Sequence, residues 1–295
     1  MIRVIDSSGP RNRAIWYWAA TLTIAAESFV AGFLALLQIN DVRNIVEQQL
    51  SYPLYVAVIV GLWKVPGAVV LLLPRLPRLK EWVYAGEIFV YTAAVTSFFF
   101  TGDIESGVGP LGLAVVTMIS WALRPVNRRD PAPDAASLAW LPVTPGRSMF
   151  TTILFWATTL SFTGALLSGG VVDLTQRPET LAGMQALGYP AYFLFIIGFW
   201  KLLCAPAVLS PRFARLKEWA YAGAFFNFSG AIVSHLVSGS EWYHVGYTFL
   251  FTVCTLVSWA LRPPNRVLGT LYEPGALTRQ SHPGDTGARP VDRIG

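Results

Sequence analysis

Hydrophobic positions in this chain neither alternate nor return every third or fourth residue; they run on. Eight stretches are nearly free of charge, near residues 14–38, 53–73, 82–100, 107–123, 149–172, 189–209, 219–237 and 244–261. Each is about 17 to 25 residues long, enough to cross a hydrocarbon core ~30 Å thick as a helix rising about 1.5 Å per residue. The pattern therefore predicts an all-α integral membrane fold with eight transmembrane helices. A membrane barrel would instead show ten-residue segments of alternating polarity. The first run is longer than the apolar core of a signal peptide, Glu27 interrupts it, and no small-residue cleavage site follows. It is expected to persist as a membrane helix.

The polar punctuation occurs twice. LKEWVYAG at 79–86 returns as LKEWAYAG at 216–223, YPLYVAVIVGLWK at 52–64 as YPAYFLFIIGFWK at 189–201, and SWALRPVNR at 120–128 as SWALRPPNR at 258–266. The offset stays at 137 or 138 residues, so each half is one four-span unit duplicated in tandem. An even number of spans keeps both copies in the same orientation, which predicts two parallel-repeat four-helix bundles related by a pseudo-twofold axis along the membrane normal. The expected organisation is a cytoplasmic N-terminus (1–13), a first unit (14–123), a Pro-, Ala- and Asp-rich cytoplasmic linker (124–148), a second unit (149–261) and a disordered cytoplasmic tail (262–295).

Composition agrees: 54% of residues are hydrophobic and 13% charged, about half the charge of a soluble domain. Eighteen lysines and arginines fall at the N-terminus, in the second-to-third, fourth-to-fifth and sixth-to-seventh connections and in the tail, whereas the other side has only Arg43 and Arg177. That asymmetry places both termini in the cytoplasm. It also accounts for the net charge of +5 without any nucleic-acid partner, and makes the lipid bilayer the expected environment.

Several polar residues lie inside the runs. Lys64 and Lys201 sit well within their spans, where a charge requires a partner, water or neutralisation. Lys64 shares a helical stripe with Ala57, Gly61 and Ala68, and Lys201 with Gly198 and Ala205, so both are expected to face protein. Glu81 and Glu218 of the repeated octapeptide are the partners common to both halves, within reach if each lysine extends towards the basic loops. Glu27 and Glu87 are further partners in the first half, replaced by Ala165 and Ala224 in the second. A structural ion pair and a functional site both remain open here. The octapeptide itself reads as an anchor: Lys80 and Lys217 in the basic set, Trp82 and Trp219 at belt depth, Glu81 and Glu218 in the first helical turn beside the positive end of the dipole.

On the helix that follows, Gly223, Asn227, Gly230 and Ser234 form a small-residue stripe. Tyr221, Phe228 and His235 form an aromatic row, matched by Tyr84, Tyr91 and Phe98. The stripe reads as close helix packing and the row as bundle core. His235 and His244 fall near the outer surface, close to Glu241, as solvated or proton-relaying groups. Cys204 and Cys254 form no CxxC pair, and no metal motif, haem-ligand pair or phosphate loop is present, so no cofactor is evident from the residues. The second half keeps Asn227, Ser234 and His235. It is therefore expected to carry the ancestral activity through His235 and Lys201, with Glu27 and Glu87 neutralising Lys64.

The order YPxY, GxWK, PRxxRLKEWAYAG, GAxxSH and SWxLRP resembles the DoxX-like family of small four-helix bacterial membrane proteins, along nearly the whole second half. The first half departs from it at Phe98, where the second has His235. The resemblance implies a bacterial cytoplasmic membrane protein that serves as a membrane subunit or anchor of a quinone-linked redox system, with quinone as the implied cofactor and a redox protein as the implied partner. The family is named after a membrane subunit associated with thiosulfate:quinone oxidoreduction, but most of its members have no established activity. A small-molecule transporter and a structural or assembly protein without chemistry remain the alternatives.

Overall fold

The computed structural model describes residues 10–125, 128–129, 148–211, 213–263 and 266–267. Most of the expected linker, the N-terminal residues 1–9 and nearly all of the expected tail lie outside these. The elements are α1 (Pro10–Leu36), α2 (Asn40–Arg43) continuing into a π-helical turn (Asn44–Gln49), α3 (Tyr55–Leu72), α4 (Pro77–Thr101), α5 (Val108–Leu123), α6 (Met149–Thr175), α7 (Pro178–Ala186), α8 (Phe193–Leu209), α9 (Ala214–Val237) and α10 (Trp242–Ala260). No strand occurs among the described residues. The repeat in the sequence is a repeat of helices: α1, α3, α4 and α5 return as α6, α8, α9 and α10.

Helix-forming apolar runs explain the long elements, and prolines and left-handed residues set their ends. Pro77 and Pro178 open α4 and α7, and Gly102 closes α4 at φ 82°, the position a residue without Cβ adopts at no steric cost. Five helices are long and apolar enough to cross a bilayer: Arg11–Leu36, Tyr55–Leu72, Pro77–Thr101, Met149–Thr175 and Ala214–Val237. Val108–Leu123 and Phe193–Leu209 are shorter apolar helices. The outer faces carry large apolar side chains, among them Phe150 at 72% and Leu160 at 57% exposure. Such a surface matches lipid rather than water.

Within each repeat the first two long helices approach through small residues. A Cβ on Gly61 would lie 2.6 Å from the carbonyl oxygen of Gly32, and one on Gly198 would lie 3.0 Å from Cβ of Asp173. Close backbone approach replaces hydrophobic burial as the force that holds helices together in lipid. Hydroxyl triads tie in the remaining helices: Ser120 meets Thr21 and Tyr84 at 2.8 Å each, and its copy Ser258 meets Thr159 at 2.6 Å and Tyr221 at 2.8 Å.

The repeats meet along α4 and α9, and the contacts come in exchanged pairs. A Cβ on Gly86 would sit 3.0 Å from the Phe226 ring, and one on Gly223 would sit 3.0 Å from the Phe89 ring. Phe226 packs edge-on against Trp63 at 5.5 Å, and Phe89 against Trp200 at 4.9 Å. At the end bearing the short helices, Tyr55 donates to the Leu187 carbonyl at 2.6 Å and Tyr192 to the Leu50 carbonyl at 2.5 Å. Each contact is matched by another shifted by the repeat length, as a pseudo-twofold relation requires.

Besides the count of bilayer-length helices, five where eight were expected, the helices differ from expectation at two places. α4 and α9 begin at Pro77 and Ala214, so the octapeptide is helical throughout and Glu81 and Glu218 lie beyond the first turn, where no acidic residue occurs. The connection between the first two long helices also folds, as α2 with its π turn and as α7. Tyr84, Tyr91, Phe98, Tyr221 and Phe228 are buried in the cores, as the aromatic row implies.

Candidate functional site

Three polar constellations are built on this scaffold. The first answers why the octapeptide is present twice. The Glu81 carboxylate is 1% exposed and takes Arg124 at 2.6 Å on Oε1. Its Oε2 accepts from the indole of Trp121 at 2.8 Å, in its own repeat, and from that of Trp219 at 2.9 Å, in the other. Glu218 repeats the arrangement with Arg262 at 2.8 Å, Trp259 at 2.8 Å and Trp82, again from the opposite repeat, at 3.0 Å. Each octapeptide thus supplies a carboxylate to be bound and an indole that binds the other's carboxylate. The arginines are fixed in turn, Arg124 over the Tyr84 ring at 4.9 Å and Arg262 over Tyr221 at 4.9 Å.

Two expectations are corrected here. Glu81 and Glu218 do not pair with Lys64 and Lys201, because an arginine of the SWALRP segment and two indoles already occupy each carboxylate. Trp82 and Trp219 are not belt residues at a lipid interface; they cross the pseudo-axis, with Trp82 packing against the second core and Trp219 against the first. Lys80 and Lys217 also do more than mark a side. Lys80 donates to the carbonyls of Val70 and Leu71 at 2.6 Å each, and Lys217 to those of Ala207 and Ser210, satisfying orphan acceptors at the ends of α3 and α8.

The second constellation surrounds Lys64 at mid-helix depth. Lys64 Nζ lies 2.9 Å from Glu27 Oε2 and 3.3 Å from Glu87 Oε2. It is buried, as its small-residue stripe implies, and sits over the Tyr91 ring at 4.6 Å. The Tyr91 hydroxyl donates to Glu27 Oε2. Ser28 bridges the carboxylates, 2.7 Å from Glu87 Oε1 and 3.3 Å from Glu27 Oε2. Glu87 is 3% exposed at its side chain and Glu27 is 24% exposed, so the cluster opens outward only through Glu27. Glu27 and Glu87 are the partners of Lys64 that the sequence suggests for this half.

Its copy is different. Lys201 has neither glutamate and reaches Asp173 at 2.7 Å, near the end of α6. Asp173 was not among the sequence candidates: it sits next to a connection and reads as a loop acid, yet it is 6% exposed.

The third constellation exists only in the second repeat. His235 and His244 stack with centroids 4.9 Å apart and planes 7° from parallel, and His235 Nδ1 lies 3.0 Å from Ser240 Oγ. With Thr180 and Met184 of α7 they line a cavity of about 310 Å³. Phe98, Asp103 and Gly107 stand at the matching positions of the first repeat. There, hydrogen bonds from Ser106 hold the half-buried Asp103 carboxyl below the usual carboxylate range. Asn227 lies half-buried on the α9 stripe. At the head of α3, Tyr52 meets Ser97 at 2.9 Å, and burial pushes its phenol above the ordinary range. No group of three or more His, Cys, Asp or Glu side chains among the described residues is placed to hold a metal ion.

An all-helical chain with several bilayer-length apolar helices, lipid-like outer faces and buried interhelical ion pairs is a multi-pass membrane protein. The sequence model of the DoxX-like family matches it twice, over residues 19–122 and 157–258. The chain belongs to that family and carries its unit in tandem. No curated protein and no solved structure matches it.

Proposed function

We propose that the chain is an eight-span protein of the bacterial cytoplasmic membrane with both termini in the cytoplasm. In this reading it serves as the membrane subunit of a redox system and meets a lipid-dissolved quinone at its first repeat. The duplication supports an equal number of spans in each unit: α8 is the copy of α3, which is long and apolar enough to cross, and in this reading α5 and its copy α10 supply the fourth span of each unit, so that both units enter the membrane alike. The distribution of basic residues supports the sidedness.

The observation that carries the redox reading is the partly open Glu27 carboxylate, backed by the Tyr91 hydroxyl and the Lys64 ammonium at mid-helix depth. A quinone ring brings carbonyls that accept hydrogen bonds, and its reduced form brings two protons to be released on oxidation. Glu27 is placed to accept a proton, while Tyr91 and Lys64 orient and charge-balance it. Electrons would pass to a partner protein with its own redox cofactor. The transporter alternative has less support, because α3 and α8 continue as helices through Pro66 and Pro206, without the interruption at mid-membrane that transport sites commonly use.

Quinone content per protein, measured in lipid extracts of material purified in mild detergent, tests this reading. The expected result is enrichment above bulk membrane lipid, falling at least about tenfold in Glu27→Leu that keeps its helical circular dichroism; tenfold corresponds to about 1.4 kcal/mol of binding. Quinone at the bulk-lipid ratio in the unaltered protein would refute it.

A further inference from the structure

The carboxylates around Lys64 outnumber the cations. Glu27 and Glu87 face one ammonium, and two full negative charges against one positive would leave a net charge at mid-helix depth, where it is costly. The hydrogen inventory gives the same result by another route. Glu87 Oε2 is buried and accepts no hydrogen bond, although Lys64 Nζ is 3.3 Å away. Lys64 Nζ instead has three other acceptors in hydrogen-bonding geometry, as many as it has hydrogens: Glu27 Oε1 at 3.0 Å, Glu27 Oε2 at 2.9 Å and the Tyr91 oxygen at 3.4 Å. Ser28 has a single hydroxyl hydrogen and two carboxylate oxygens within reach, at 2.7 and 3.3 Å. One more hydrogen would let Ser28 bond both sides at once.

We infer that the Glu27–Ser28–Glu87 bridge is a proton-binding site that holds one exchangeable proton between its two carboxylates. With the proton on Glu87 Oε1, Glu87 donates to Ser28 Oγ and Ser28 donates to Glu27 Oε2. Transfer breaks the O–H bond of Glu87 as a new one forms at Ser28 Oγ, while the serine's original O–H bond breaks and its proton joins Glu27. The result is the mirror arrangement with the proton on the partly open residue. Atoms and charge balance, and no co-reactant is consumed. Glu87 is thus the buried store and Glu27 the port.

The facing titratable groups are Glu27 from α1, Lys64 from α3, and Glu87 and Tyr91 from α4; α5 carries no titratable side chain. From the second repeat, Lys201 is paired with Asp173, Lys217 with carbonyls of the α8 end, and Glu218 with Arg262. The site exists only in the first repeat, because Ala165 and Ala224 occupy the places of the two glutamates in the second. The inference does not depend on a quinone; any proton donor that reaches Glu27 would fill the site.

Reaction with dicyclohexylcarbodiimide, an apolar reagent that adds to protonated carboxyl groups, tests it in the unaltered full chain. Peptide mass spectrometry should locate the adduct on Glu27 or Glu87 at neutral pH, with yield falling as the pH is raised. Glu81 and Glu218 are internal controls: each buried carboxylate is balanced by its own arginine and should stay unlabelled. Lys64→Met removes the one cation and should raise the yield at both glutamates at least about twofold. A protein unlabelled at Glu27 and Glu87 from mildly acidic to mildly alkaline pH, yet labelled there once unfolded in detergent, would overturn the inference. So would equal labelling of Glu81 and Glu218.

Discussion

Replacing Trp219 by Phe removes one hydrogen-bond donor and little else. The ring remains against the first repeat's core, but the indole N–H that reaches across to Glu81 Oε2 at 2.9 Å is lost. Glu81 keeps Arg124 at 2.6 Å and Trp121 at 2.8 Å, so the charge stays paired and the change is graded. Neutral side-chain hydrogen bonds between membrane helices average only about 0.6 kcal/mol, whereas a bond to a charged acceptor is worth roughly 1.5–3 kcal/mol. The acceptor is buried and paired with an arginine, so the charged figure applies and the expected loss is about 2 kcal/mol. That is about a 30-fold drop in the folding constant. The smaller ring also loses packing, which a double-mutant cycle with Glu81→Gln removes because both backgrounds lose it equally. Reversible unfolding in mixed micelles, followed by far-ultraviolet circular dichroism, should give a coupling of about 1.5 kcal/mol between the two positions. Trp82→Phe with Glu218→Gln should give the same value by symmetry. A coupling below about 0.5 kcal/mol in both cycles would mean that the exchanged indoles do not hold the repeats together.

Three further outcomes are expected. Lys201→Met should lose about 3 kcal/mol, the cost of leaving a buried acid unpaired, and Asp173→Asn should restore most of it in the same unfolding assay while Glu218→Gln should not. Gly86→Leu should cost about 1–3 kcal/mol by overpacking against Phe226, with Phe226→Ala relieving part of the loss; an unchanged midpoint would place the interface elsewhere. In intact cells an impermeant thiol reagent should label a cysteine at Ser106 or Glu241 and spare one at Asn127; labelling at Asn127 would break the proposed sidedness.

How much was legible in the sequence depends on whether a feature is local. Long apolar runs state helix and lipid directly, and a repeat with constant offset states duplication, so the all-α class and tandem units follow without coordinates. The burial of Lys64 among Ala57, Gly61 and Ala68 was readable too, since position on a helical face follows from periodicity. Pairing across helices was not. Arg124 and Arg262 count as basic loop residues by position, yet their side chains are 1% exposed and hold Glu81 and Glu218. A signal was present: SWALRP recurs as strictly as the octapeptide, with Trp and Arg three residues apart, so two constant motifs at one end of the bundle invited pairing with each other. Asp173 gave no such signal, having Ala35 as its counterpart. The indoles crossing between repeats depend on how two units dock, which periodicity within either unit does not encode.

The central claim is that the duplicated octapeptide fastens the two units to each other reciprocally. A protease site inserted into the 130–147 segment allows the full chain to fold first and be cut afterwards, and size-exclusion chromatography in mild detergent then reads whether the halves remain together. The account predicts co-elution of the cut halves, and separation when Trp82→Phe and Trp219→Phe are combined with Glu81→Ala and Glu218→Ala. Separation of the unaltered halves on cutting, or undiminished co-elution of the fourfold variant, would contradict it.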